Sequence, residues 1–303
     1  PVHDPSFESE TLPELQRQYQ IAEDIVPNSA PTGQLMWSPR VGFNYDIAGD
    51  KSYVVRGGMG VFTSRIPFVW PGAMFNNNGL TQGAVFLRDV DFRSDINNQY
   101  VDENFSVPSG DINTFVEDFK YPQVFRSNLE FDFTLPGGIS TTLEGIYTNT
   151  LNNVVYTNVN NDITGVTTFE GSPDTRNYYT ESSIDPRYRA IYVGHNTNQG
   201  HSYTMTASFA KTFNFKRADL NLQVAHTYGD AFALNEGTSS QNSSQWRGQV
   251  NIDGRNNPVF GRSDFATGHR TIGAGAFTYY WTEDRVNATT IRLLFNGQSG
   301  RAY

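Results

Sequence analysis

The alternation between Asn128 and Tyr147 constrains this chain more than any other feature. In NLEFDFTLPGGISTTLEGIY, Leu129, Phe131, Phe133 and Leu135 share one parity, while Asn128, Glu130, Asp132 and Thr134 share the other. After Pro136-Gly137-Gly138, Ile139, Thr141, Leu143, Gly145 and Tyr147 alternate with Ser140, Thr142 and Glu144. A period of two marks extended strand, and a Pro-Gly-Gly interruption marks a tight turn. The stretch therefore reads as a β-hairpin with one apolar face and one face carrying carboxylates. In a soluble sandwich the apolar face would point inward. In an outer-membrane barrel it would point outward to lipid, with the charges lining the lumen.

Composition narrows the choice. Hydrophobic residues make up 37% of the 303, low for a large buried core, whereas aromatics reach 14%. No apolar run approaches the ~20 residues of a membrane-spanning helix, so any membrane span must be β. Cysteine is absent, which excludes disulfides, thiolate metal sites and cysteine nucleophiles. The net charge of −9 argues against nucleic acid as a partner. PVHDPSFESE has neither a basic nor an apolar leader region, so the chain is expected to start after any export signal.

Eight strands are expected: Arg40–Ile47, Tyr53–Phe62, Val124–Leu135, Ile139–Thr150, Tyr203–Phe213, Leu220–Tyr228, Thr271–Trp281 and Ala288–Phe295. Short turns (AGDKS, LPGG, NFKRA, TEDRVN) join them into four hairpins, and three long polar segments separate the hairpins. Short connections at one end and long ones at the other are the asymmetry of outer-membrane barrels. NVVYTNV reads as a strand continuing above the bilayer, and HNTNQGHS as a Gly-containing bulge. Tyr53, Phe133, Phe213, Phe215, Tyr280 and Trp281, near the short turns, would form an aromatic girdle, with Lys211 snorkelling beside them. The facing of Thr271–Trp281 stays undecided. Residues 1–34 read as a loop or short helical lead-in, with TLPELQRQYQIAEDIV a short helix or ordered coil, and 35–303 as barrel strands and loops. The expected fold class is all-β, a portion of an antiparallel transmembrane β-barrel in the outer membrane.

SPRVGFNYDIAGDKSYVVRGGMGVFTSRIPFVW resembles the barrel of TonB-dependent outer-membrane receptors, in particular the Oar-like receptors of Bacteroidetes-type bacteria. DFKYPQVFRSNLEFDFTLPGGISTTLEGIYTNTLNNVVYTNVN, NEGTSSQNSSQWRG and ATTIRLLFNGQSGRAY continue the likeness. The resemblance implies a 22-stranded barrel with a plug domain and a TonB box; neither is read in this sequence, so it is expected to be an internal piece of the barrel. It also implies uptake of a large or scarce ligand energised through the TonB complex, with outer-membrane lipid, the plug of the same protein and a surface lipoprotein as partners. Secretion or adhesion is linked to such receptors too. A small complete barrel with a structural or adhesive role and a soluble β-sandwich are the rival readings.

Candidate residues fall into two sets. Arg56, Arg126, Glu130, Asp132, Glu144 and Arg292 share the polar parity and would face the lumen and plug. Phe68, Trp70, Phe75, Tyr178, Tyr179 and Trp246 lie in the long segments, where they could stack on a ligand or pack the loops into a cap. Asp89, Asp91, Asp95, Asn97 and Asn98 have calcium-type oxygens without EF-hand spacing and read as a solvated loop. The five histidines are scattered, and Glu130 and Asp132 read as lumenal lining rather than an acid–base pair. No serine sits in G-x-S-x-G. Neither catalysis nor a cofactor is expected.

Overall fold

The computed structural model describes residues 33–77, 88–100 and 110–300, apart from residues 163, 169, 172, 180, 181, 186 and 187. The lead-in expected as a short helix or ordered coil before residue 33 lies outside them. The elements are β1 (Arg40–Asp46), β2 (Tyr53–Thr63), α1 (Val69–Asn76), β3 (Asp111–Phe115), β4 (Gln123–Leu135) and β5 (Ile139–Asn158). Four two-residue strands follow: β6 (Asn161–Asp162), β7 (Val166–Thr167), β8 (Tyr178–Tyr179) and β9 (Ser182–Ser183). Then come β10 (Ala190–Thr197), β11 (Gly200–Asn214), β12 (Ala218–Ala233), α2 (Asn242–Gly248), β13 (Gly261–Arg262), β14 (Gly268–Tyr280) and β15 (Ala288–Gln298).

Eight long strands form one antiparallel meander in the order β1-β2-β4-β5-β11-β12-β14-β15, and they are the eight expected from the sequence. The sheet is open: among the described residues β1 pairs only with β2, and β15 only with β14. β5 runs 20 residues, and its upper end carries β10, to which β3 adds in parallel. NVVYTNV thus continues its strand. HNTNQGHS is a break between β10 and β11, not a bulge: both halves keep one register on β5. The register shift lies instead at Gln123/Val124, where β5 holds an extra residue against β4.

Two of the short turns follow directly from their residues. Pro136 occupies the second position of a turn closed by Gly138 N–H donating to Leu135 O (3.1 Å), and Gly137 follows at φ +88°. Proline followed by a glycine at positive φ is the type II pattern. In the first hairpin the Asp46 carboxylate accepts from Gly49 N–H (2.9 Å) and Lys51 N–H (2.8 Å). The run Arg56-Gly57-Gly58-Met59-Gly60 reflects close backbone approach: a Cβ on Gly57 would stand 2.7 Å from Asn128 O and 3.2 Å from the Phe43 ring. That ring covers the space a side chain would have taken.

The apolar face has no protein partner. Met205 is 63% exposed and Leu293 75%, in company with Val41, Phe43, Met59, Leu129, Leu222 and Ile291. Among the described residues, every buried hydrophobic lies outside the eight-strand ladder or on the β5 extension beyond Asn153. A sheet with its apolar side outward and no core of its own is stable only against an apolar solvent. Aromatics sit at both limits of this face, with Tyr147 and Tyr203 in register near the long loops and Phe213 near the short turns. The ten steps from Tyr203 to Phe213 span ~34 Å along the strand.

The lower girdle measures the tilt. Tyr53 shares its register row with Phe133 and Phe209, so Phe213 lies three strands across and four residues farther along. Steps of ~4.8 Å across and ~3.4 Å along give a strand tilt of roughly 45°. At that tilt ~34 Å of strand covers ~25 Å of height, the lipid-facing band of an outer-membrane barrel. Lys211 reaches back over the Phe213 ring (4.4 Å), the expected snorkel. Tyr280 departs from the expected girdle: it lies on the polar face and donates to Asp219 Oδ2 (2.8 Å), while Tyr279 packs edge-on to Trp281 (4.9 Å). Register settles β14. Gly273, Gly275 and Phe277 align with apolar Val224, Leu222 and Leu220, and Ala274 and Ala276 face the polar side.

Candidate functional site

All six charged candidates lie on the polar face. Arg56 sits between two carboxylates, with Nε 3.3 Å from Glu130 Oε1 and Nη2 paired to Asp132. Thr142 Oγ1 donates to Asp132 Oδ1 (2.6 Å), so β2, β4 and β5 are stitched by one polar cluster. Glu144 stands opposite Glu130 in register, Arg126 opposite Gly60 and Thr148, and Arg292 opposite Ala276 across the sheet. Gly58, Asn128, Thr142, Ser208 and Asn221 fill the rows between them with small groups.

The long segments build a cap with a core of its own. Ile66, Trp70, Met74, Phe115, Phe119, Val154, Tyr156, Ala190, Tyr192 and Trp246 pack together. Of the two readings open for the loop tryptophans, stacking on a ligand or packing the cap, the structure shows packing: each is interior, 4% exposed. Trp70 meets Tyr156 edge-on (5.9 Å) and donates to Ser239 O (3.3 Å); Trp246 packs on Tyr192 (5.6 Å) and donates to Asn256 Oδ1 (2.8 Å). They hold the loops rather than present themselves, because a cap raised above the sheet must bury apolar surface somewhere. Phe68 is 80% exposed beside α1, on which Phe75 is half-buried; Tyr178 is exposed, and Tyr179 pairs through β8 with Val166 in β7.

Amide side chains tie the loops to the strand ends. Gln249 brackets Tyr156, accepting from its N–H (2.8 Å) and donating to its carbonyl (3.0 Å). Asn256 accepts from Asn158 N–H (2.9 Å) and donates to Asn158 O (2.8 Å). Asn160 accepts from Asp185 N–H (2.8 Å) and donates to Tyr188 O (2.8 Å). Such bonds satisfy backbone groups that a loop would otherwise bury unpaired. Sequence reasoning missed this network, along with α1, α2 and β3. Its one signal was the density of Asn and Gln in the long segments.

Among the described residues, two of the clefts lie in the cap. The larger, about 420 Å³, is lined by Val69, Gly72, Ala73, Asn113, Asn242 and Arg189 among others. The smaller, about 220 Å³, brings Tyr178 beside Trp246 and Arg255, with Asp174 on its wall. The Arg176 guanidinium beside Asp174 holds that carboxyl down at about 2. On β10, burial lowers the pKa of His195, which shares a hydrogen bond with Thr157 Oγ1 (2.9 Å). Among the described residues no group of three or more histidines and carboxylates is placed to hold a metal ion.

An outward apolar face between aromatic limits, a polar inner face and a loop cap at one end specify a membrane-spanning β-sheet. The outer membrane beta barrel domain family matches residues 4–297. The chain belongs to that family. This barrel domain resides in the outer membrane, and the soluble-sandwich reading is set aside. No curated protein matches it in sequence. Among solved structures, the crystal structure of the outer membrane transporter YddB from Escherichia coli is similar over 84% of this chain and 28% of that one, at 12% identity and a TM-score of 0.48. The barrel domain therefore corresponds to little more than a quarter of that transporter's length.

Proposed function

We propose that the barrel domain is part of a TonB-dependent receptor that captures a large or scarce ligand at the cell surface and imports it without chemical change. The observation that carries this reading is the polar face. Gly58, Gly60, Asn128, Thr142, Ser208, Asn221 and Asn296 lie on it, too small to fill the bore of a closed eight-stranded barrel. A wide lumen tolerates such a face, because water or a plug occupies the space. The edges of β1 and β15, unpaired among the described residues, support the same reading, since an unpaired edge in hydrocarbon is too costly to persist and further strands would complete the wall. In this reading Arg56, Arg126, Glu130, Asp132, Glu144 and Arg292 face the plug, and the cap meets the ligand. Phe68 and Tyr178 are the stacking residues left on its surface.

Competitive growth on a panel of glycans, peptides and iron chelates tests the proposal, comparing strains that lack this gene, TonB, or both. One shared growth defect, no larger in the double mutant, is the expected outcome. A defect in adhesion with every nutrient still imported would favour the small adhesive barrel.

A further inference from the structure

Two buried amides in the larger cleft carry side-chain atoms without partners among the described residues. Asn113, on β3, is 3% exposed and Asn242, at the start of α2, is 2% exposed. Among the described residues, Asn113 Oδ1 and both Asn242 Nδ2 and Oδ1 have no hydrogen-bond partner, and the two residues line the same cleft. Elsewhere in the cap, amides as deeply buried are bonded: Gln249 to Tyr156, Asn160 to Asp185 and Tyr188, Gln245 to Ser239 O. A buried polar group left unpaired carries its full desolvation penalty, so three orphaned atoms around one cleft mark a place where something else supplies the partners.

The lining defines what that is. Arg189 and Asp111 neutralise each other through two bonds, Nε to Oδ1 (2.8 Å) and Nη2 to Oδ2 (2.6 Å), so the cleft presents no unopposed charge from that pair. Most of the remaining polar lining is amide: Asn76, Asn77, Asn113, Gln241 and Asn242. An amide both donates and accepts, and so does a hydroxyl; amides therefore match a ligand covered in hydroxyls better than an ion. A peptide adding as a strand to the edge of β3 is disfavoured, because Asn113 N–H already donates to Asn77 O (2.9 Å). Val69 and Ala73 offer little apolar surface for its side chains. The geometry points to a binding site for a short neutral oligosaccharide between α1, β3 and the start of α2, an inference that rests on the cap being the capturing face of a receptor.

The test is binding by the full-length protein in detergent to an array of neutral, acidic and aminated oligosaccharides, with a peptide array beside it. Retention of neutral oligosaccharides is expected. Asn242→Leu and Asn113→Leu should each weaken it by at least roughly tenfold, as loss of a buried hydrogen-bond partner does. Gly72→Trp is a second route to the same answer, since a side chain there starts in open space and would fill the cleft with the amides intact. The site is refuted if no neutral oligosaccharide is retained, if only peptides are, or if Gly72→Trp binds as well as the parent. Glycan binding by a protein whose loss shares no defect with loss of TonB would sink the receptor reading alone and leave the site standing.

Discussion

At the scale of single residues, position along the tilt decides what a side chain contributes. Leu129 lies on the apolar face halfway between Phe125 and Phe133, and is exposed there. Leu129→Arg should destabilise the barrel by ~2–4 kcal/mol, the cost of a guanidinium at mid-bilayer. Glu130→Gln, one residue on but on the polar face beside Arg56, should cost far less, as water screens an exposed ion pair. Unfolding in lipid vesicles measures both, and equal costs would mean that the facing is wrong. His195 supplies a pH test in the cap. Burial lowers its folded-state pKa below the ordinary 6.5, so the neutral imidazole stabilises fully above 6.5 and that stability is lost as pH falls through the folded value. Proteolysis of the loops should therefore quicken on acidification below 6.5, and His195→Gln should flatten the response.

At the scale of elements, the two ends of the sheet behave differently. The short turns are set by local chemistry, and the long segments by a core assembled from distant pieces. Gln249→Leu would leave both backbone groups of Tyr156 without their side-chain partner, at about 1–3 kcal/mol for a buried unsatisfied group. Amide exchange should then accelerate in β10 and the end of β5 while β11 and β12 keep their protection. Sidedness follows from the same asymmetry. A cysteine at Ser240, exposed in the cap, should label on intact cells with an impermeant maleimide, and one at Asp50, exposed in the first short turn, should not. The chain has no native cysteine to obscure the result. Labelling at Asp50 alone would invert the topology.

At the scale of the molecule, the sheet is a wall without a core, and its free edges matter most. If further strands stand between β1 and β15, cysteines introduced together at Phe43 and Leu293 should form no intramolecular disulfide under oxidant. A fast, quantitative cross-link would close eight strands on themselves and restore the small barrel.

What the sequence determined by itself was whatever depends on period and on local turns. Eight strands, their pairing into hairpins and the parity of Leu129 against Glu130 follow from alternation, because a strand's side chains must point to opposite faces wherever it lies. The Pro136-Gly137 turn follows from which residues tolerate positive φ. Facing was legible where apolar and polar residues differ sharply and illegible along Gly273–Ala276, where only register against β12 could assign it. Tyr280 and the two tryptophans show the other limit. An aromatic residue has the same hydrophobicity in a girdle, a lumen or a cap core, and only the tertiary structure placed Tyr280 against Asp219 and Trp70 against Tyr156. The cap itself, with its parallel β3 and β10 and its orphaned Asn113 and Asn242, joins segments far apart in the chain, and such contacts leave no period for a sequence to display.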